Sequence, residues 1–416
     1  MFHVSRRRAI RPPHVRDGEQ PPMHQDSKAE IRKHLVGFVD TRTTDYAEST
    51  MRMDAKRYSD PAYLAREHEK VIKTHPMIVA HSSELVGPGS FLTAVVAGTP
   101  MLVIRQDDGS VKAFANICRH RGAQVEAHPS GRRKMFSCPY HRWCYSRDGS
   151  IRSIPFDDGF DGVDLGERSL VEYPADEYAG LVWVLPTTGA ALDMTARVGP
   201  ELDRDVQASG IATAELYRKQ TFHLEMNWKV VMDGFTDAYH LQFVHPTTVG
   251  PFFHTNVYKV DSFGKNWRMV VARRGIEKFR DDTNFDYDEF AKYAIPNFTI
   301  YPGTVITTEP AHFEVWSVRP DPANLATCLV TLLFLVPELP ETEKATRFFD
   351  KNWDLLLSTV EGEDWVVAKT ISEGLAHGDR PELIYGRNEK ATQLLHSQLA
   401  HDVDGPDAAV PDGRPS

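Results

Sequence analysis

The sequence predicts an α+β protein in which an all-β block is inserted before a domain of helices on an antiparallel sheet. Three observations predict this. Residues 76–175 read as short β-rich runs at 92–96, 101–104 and 111–115, and Asp107-Asp-Gly109 and Arg147-Asp-Gly149 are hairpin signals among them. From 176 to 401 strand-like and helix-like patterns mix. A chain of 416 residues is also long for a single core, so two domains are expected.

The elements follow in chain order. Residues 1–30 are rich in Arg, Pro, His and Gln and are expected to be a mobile arm, or one that orders on a neighbouring subunit. The basic start Ser5-Arg-Arg-Arg8 has no apolar stretch after it, so no secretory leader is expected. Tyr63, Leu64, His68, Val71 and Ile72 have helical spacing, with Ser59 or Asp60 as cap and Pro61 in the first turn. The first 75 residues are therefore an arm and a helix that packs on the larger domain. After the β block, 181–185 is a buried strand near the boundary. Strands are expected at 217–224, 267–272, 311–318 and 325–336. Helices are expected at 227–244, 341–374 and 387–401, packed on one face of the sheet, and 402–416 is expected to be a disordered tail.

Composition excludes some classes. A net charge of −10 without a basic stripe argues against nucleic-acid binding. There is no apolar run of about 18 residues, so no membrane span is expected. Of four cysteines, Cys144 and Cys328 have no evident disulfide partner, which suits a reducing, cytoplasmic setting.

The other two cysteines sit in Cys118-Arg-His120-Arg-Gly122 and Cys138-Pro-Tyr-His141-Arg-Trp143. Each segment lets one tight loop aim a thiolate and an imidazole at one point. Two Cys and two His fit either a four-coordinate zinc or a [2Fe–2S] cluster with two His on one iron. Zinc ribbons usually pair two sulfurs in one C-x-x-C knuckle, whereas here each loop gives one of each kind. The paired string closely resembles the Rieske cluster motif, which implies that Cys118, His120, Cys138 and His141 hold a [2Fe–2S] cluster.

Downstream stands Asp237-Ala-Tyr-His240-Leu-Gln-Phe-Val-His245. Two His with a carboxylate suggest the 2-His-1-carboxylate site of non-haem Fe(II) oxygenases. On a regular helix of ~100° per residue, positions 240 and 245 point ~140° apart. One metal therefore needs a π-bulge or a helix end before His245, and Pro246 suits a break there.

With Asn227-Trp-Lys229 and the cluster motif in the same order, the chain resembles the large (α) subunit of a Rieske non-haem iron oxygenase over about residues 75–400. The resemblance implies that 176–401 is catalytic. It implies that Asp237 is not a ligand but bridges to the Rieske histidine of an adjacent subunit. It also implies that Asp364, in Glu363-Asp364 ahead of Gly374-Leu375, joins His240 and His245 on Fe(II), with Glu361 and Glu363 as acidic neighbours. Further implications are O₂ as co-substrate, NAD(P)H supplied through a reductase with or without a ferredoxin, a small organic substrate, and a head-to-tail homotrimer with or without a small β subunit.

Two departures stand out. Met232-Asp233 replaces the Glu-Asn of many ring dihydroxylases, making Asp233 a candidate pocket residue, and Ser372 stands where Gln is frequent. The first puts aromatic hydrocarbon dihydroxylation in doubt, and neither removes a ligand; hydroxylation or demethylation is expected, with ring cis-dihydroxylation as the alternative. Phe235, Phe243, Phe252 and Phe253 are candidate pocket aromatics. Outside the enzyme class, the alternatives are an electron carrier and a zinc-binding module.

Overall fold

A computed structural model describes residues 23–281, 285–376 and 382–406. Its centre is a seven-stranded antiparallel sheet. The order across it is Glu215–Leu224, Asn324–Val336, His312–Asp321, Thr304–Glu309, Ala294–Ile300, Asn266–Arg273 and Phe253–Phe263. Six of these strands form a meander in sequence order, and Glu215–Leu224 closes the edge beside the last of them. Side chains alternate across a strand, so each strand feeds two cores. Met269, Val271, Trp316, Val318, Leu332 and Phe334 join one cluster. Val270, Ala272, Val315, Leu333 and Leu335 join the other.

Both faces of the sheet are covered, where the sequence suggested helices on one. The first face carries the helices Pro61–Lys70, Trp228–Thr236 and Glu343–Thr359. The second carries a helix at Gln25–Thr41 and the pair Met194–Val198 and Pro200–Ala208. The Gln25–Thr41 helix overlaps the expected arm. Its inner face includes Ser27 and Lys28 beside Ile31, Leu35 and Val36, so two of its five buried residues are polar and the apolar period is weak. The rest of the arm, 1–22, lies outside the described residues. The final helix, Lys390–Asp404, runs into the expected tail, and Asp402 is buried on Lys265 at 2.7 Å; 407–416 lie outside the described residues. Among the described residues no helix is long and apolar enough to cross a membrane.

The β block is entered on Met77–His81 and left on Leu181–Val184, two strands that pair antiparallel. Between them lie a five-stranded and a three-stranded sheet. Both expected hairpin turns are present. Gly109 and Gly149 adopt φ of +87° and +81°, and the Asp before each glycine accepts from the Ser after it. A Cβ on Gly149 would lie 2.4 Å from the Phe114 ring, so this turn also needs glycine for space. Cys144 and Cys328 are buried and free.

Helix Pro61–Lys70 is capped by Asp60, whose carboxylate accepts from the N–H groups of Ala62 and Tyr63. It is bound to Trp228–Thr236 by a buried ion pair. Lys229 Nζ lies 2.8 and 2.7 Å from the two carboxylate oxygens of Glu67, and Trp228 Nε1 donates to the same carboxylate at 2.7 Å. That contact fixes the first turn of the helix that leads to Asp237.

Candidate metal centres

The two Cys–His loops have the same backbone design. In the first, Cys118 N–H donates to Ala123 O and Gly122 N–H returns to Cys118 O. In the second, Cys138 N–H donates to Trp143 O and Arg142 N–H returns to Cys138 O. The residue in the left-handed region is Gly122 in one and Arg142 in the other, at φ +77° and +60°. The loops face each other: the His120 and His141 rings are 4.7 Å apart, and Trp143 stacks on His120 at 4.8 Å.

The donors suit a cluster that the two loops share. Both Nδ1 atoms, of His120 and His141, are sealed from solvent and have no hydrogen-bond partner. Two buried imidazole nitrogens left unpaired this way are costly unless something else binds them. Burial lowers the His120 pKa, with His141 and Arg121 adding to it, which keeps the imidazole neutral as a ligand must be. Burial raises the Cys138 thiol, and the Cys118 thiol adds to this, while the N–H groups of Tyr140 and His141 act in the other direction. Tyr145 Oη lies 3.3 Å from Cys118 Sγ and accepts from Arg119 N–H. Hydrogen bonds of this kind to ligand sulfurs tune a cluster's potential.

In the larger domain, the expected 227–244 helix is two helices. Trp228–Thr236 stops where Asp237 turns extended, at φ −111° and ψ 119°. Leu241–Val244 is then one turn, with His240 at its start and His245 at its end. The angular conflict between positions 240 and 245 is thus resolved by placing both at the ends of a short turn, with His245 already out of helical geometry. The π segment occurs elsewhere. Val360–Asp364 interrupts the long helix, with Trp365 N–H bonding Val360 O, and Trp365–Ala376 continues it. Such insertions re-aim the side chains beside them, and Asp364 is the last residue of this one.

His240, His245 and Asp364 bring one ligand atom each to within 4.8 Å of one another, the one such group among the described residues. His240 Nε2 is 3.4 Å and His245 Nε2 is 3.0 Å from the same Asp364 oxygen. The far nitrogen of each ring meets another carboxylate. His240 Nδ1 is 3.3 Å from Asp237, and His245 Nδ1 is 2.7 Å from Glu363, which also accepts from Thr248 Oγ1 at 2.5 Å. Carboxylate–imidazole–metal chains fix the ring's orientation and raise its basicity. Burial opposes charge on His240, but bonds to Asp237 and Asp364 outweigh it and bring its pKa to about 9. Burial likewise opposes charge on Asp364, and the two imidazoles hold it below the usual carboxylate range. Two imidazoles and a carboxylate with open positions suit Fe(II).

Comparison with known proteins agrees with this geometry. Residues 75–173 match the family described as Rieske [2Fe-2S] domain, and residues 211–405 match ring hydroxylating alpha subunit, catalytic domain. The chain belongs to the Rieske oxygenase alpha subunits. The carnitine monooxygenase oxygenase subunit of Acinetobacter baumannii is 27% identical over 62% of this chain and 70% of its own length. The chlorobenzene dioxygenase alpha subunit of a Cupriavidus species is 30% identical over 47% of this chain and 44% of its own length. The crystal structure of a quaternary ammonium Rieske monooxygenase with L-carnitine superposes with a TM-score of 0.70. It covers 89% of this chain and 98% of that one at 21% identity, a likeness of fold.

As a Rieske oxygenase alpha subunit, the chain is the terminal component of its system. It combines a [2Fe–2S] domain with a non-haem iron domain and oxidises a small organic molecule with O₂, using electrons that originate in NAD(P)H.

Some residues of this oxygenase stand differently from the sequence reading. Asp233 is not a free pocket carboxylate. Tyr58 Oη donates to it, His396 Nε2 is 2.7 Å away, and Tyr385 Oη is 2.7 Å from Tyr58 Oη. The four phenylalanines differ in their surroundings. Phe243 and Phe252 are exposed, Phe253 is buried, and Phe235 packs on Trp316 at 5.1 Å. Glu363, read as an acidic neighbour, braces His245. Its signal was only adjacency to Asp364, which exposed helical acids share.

Proposed function

We propose that Cys118, His120, Cys138 and His141 bind the [2Fe–2S] cluster and that His240, His245 and Asp364 bind Fe(II). We further propose that the reaction is monooxygenation of a small organic substrate, as hydroxylation or oxidative demethylation. One observation carries the reading: two imidazoles, each braced at Nδ1 by a carboxylate, converge through Nε2 on one oxygen of Asp364. When bound, the cluster supplies single electrons and Fe(II) activates O₂.

The chain's own residues set the geometry for this chemistry. Asp237 holds His240 Nδ1 through one oxygen, and its other oxygen accepts from Tyr239 N–H. The carboxylate is partly exposed and can also accept from Nε2–H of His120 or His141 of a second copy. Exposed Met135, Tyr140 and Phe156 beside the cluster loops, and exposed Tyr239 and Phe243 beside the iron site, suit a head-to-tail ring of three copies. A reductase, directly or through a ferredoxin, would supply electrons to a cluster held by Cys118, His120, Cys138 and His141. Monooxygenation is favoured over ring dihydroxylation by the longer match to a monooxygenase.

The test begins with anaerobic purification and metal analysis. About three irons and two sulfides per chain, with a Rieske-type signal on reduction, support the assignment. Quaternary ammonium compounds, aromatic acids and arenes are then screened for NADH-dependent O₂ uptake under ¹⁸O₂. One labelled oxygen in the product, with the other released as water, supports monooxygenation; two in a cis-diol overturn it. A colourless protein with one zinc after cluster reconstitution overturns the metal assignment.

A further inference from the structure

Glu314, Thr307 and Asn297 stand in register on three neighbouring strands of the large sheet. Each is two residues from an apolar member of the first core cluster, Trp316, Val305 and Ile295, so alternation puts all three on the face that carries the iron-site helices. Those apolar neighbours are buried, whereas the three polar residues keep part of their surface exposed. The stripe therefore borders open space. The iron-site helices touch the residues on two sides of Glu314. Phe235, two residues ahead of Asp237, packs on Trp316 at 5.1 Å. Trp353, on the helix that leads to Asp364, meets Phe334 at 5.7 Å, and Phe334 is paired with Glu314 across the strands.

The Glu314 side chain is 13% exposed. Trp316 Nε1 donates to one of its oxygens at 3.2 Å, and His312 Nε2 lies 3.3 Å from the other. Among the described residues no Lys or Arg forms an ion pair with it. Two other enclosed acids, Glu67 and Glu309, each hold such a cation, Lys229 and Arg273. A carboxylate this enclosed and without a fixed cation attracts a mobile one strongly, because little water screens it. The surroundings select the kind. A metal ion needs several donors, and Glu314 belongs to no metal-competent group among the described residues. Its neighbours are aromatic instead: Trp316, Trp353 and Phe334, with the His312 ring stacked on Phe334 at 4.3 Å. One carboxylate among aromatic rings suits a large, weakly hydrated organic cation.

We propose that Glu314 is the counter-ion of the substrate site and that the substrate is an alkylammonium compound, an inference that rests on the metal assignment and monooxygenase reading above. The charged nitrogen is held at the Glu314 carboxylate. Glu314 selects and orients the substrate and takes no part in the oxidation.

The test is calorimetric titration of the anaerobic holoenzyme with choline and with 3,3-dimethyl-1-butanol, which has the same shape without the charge. Choline should bind about 10-fold more tightly, and Glu314→Gln, with its iron and sulfide content unchanged, should lose that preference. Equal affinity for the two probes, binding of neither, or an unchanged preference in Glu314→Gln overturns the proposal. Should Glu314→Gln fail to fold, a crystal structure of the wild type with choline decides it. The ammonium group against the Glu314 carboxylate supports the site, and choline bound elsewhere overturns it. Binding is read without turnover, so a failed metal assignment, seen in the iron and sulfide analysis, is distinct from a failed cation preference.

Discussion

Glu363 and Asp364 are consecutive in the chain and hold opposite nitrogens of one imidazole: Glu363 meets His245 Nδ1 at 2.7 Å and Asp364 meets Nε2 at 3.0 Å. The π segment that ends at Asp364 brings two adjacent acids to one ring. On the proposed metal assignment Asp364 is the ligand and Glu363 a positioning residue, and their substitution separates the two roles. Asp364→Ala should lose the mononuclear iron while the cluster's colour and reduced spectrum persist. Glu363→Ala should weaken iron binding by about 10–100-fold, with partial rescue in Glu363→Gln, which keeps a group able to bond Nδ1. Iron titration of the metal-depleted proteins checks both.

Asp237 lies 3.3 Å from His240 Nδ1 and is not one of the three residues proposed to bind iron. Asp237→Ala should keep the full iron and sulfide content and lose NADH-coupled turnover by about 100-fold, the upper range for partners of metal-binding histidines. Normal product formation in that variant would remove Asp237 from the electron path.

The Glu67–Lys229 pair is 2% exposed on both sides. Lys229→Met leaves a buried carboxylate opposed only by the Trp228 N–H, and should cost about 3–5 kcal/mol. Adding Glu67→Gln, which removes the stranded charge and retains an acceptor for Trp228, should recover much of the loss. Thermal unfolding of the three proteins checks this, and an unchanged Tm in the single variant would show that the pair contributes little.

His75 is buried and its pKa is lowered to about 4, first by burial and then by the neighbouring Lys265. Its Nδ1 donates to Val71 O at 2.8 Å, so the folded protein holds it neutral. The unfolded chain binds the proton near pH 6.5 and the folded one only near 4. The contribution to stability is therefore full above 6.5, falls as the pH drops, and is lost by about 4, on the order of 3 kcal/mol in all. His75→Asn should flatten the denaturation midpoint between pH 6.5 and 4, relative to the parent.

What the sequence disclosed depends on how local each feature is. The cluster loops were readable because their four donors lie in two short segments whose turns are set by neighbouring residues. His240 and His245 were readable as a pair, and the need for a break between them follows from helix geometry alone. The choice of Asp364 rests on a family resemblance, since nothing local separates it from Glu361 or Glu363. The engagement of Asp233 was not readable, because Tyr58 and His396 lie 175 and 163 residues away. The Gln25–Thr41 helix was hidden by the buried Ser27 and Lys28 on its inner face. The second covered face of the sheet was likewise hidden, since strands buried on both sides lose the alternation that marks a half-exposed sheet.

The strands that open and close the β block are hydrogen-bonded neighbours, with Met77 opposite Val184. The block thus leaves the rest of the chain and rejoins it at almost the same point in space. Such a cassette can be exchanged between lineages, or deleted and replaced by a short linker, without rerouting the polypeptide around the iron-binding helices. The part that takes up electrons and the part that selects what is oxidised are then free to diversify at different rates, one answering to its redox donor and the other to its chemistry.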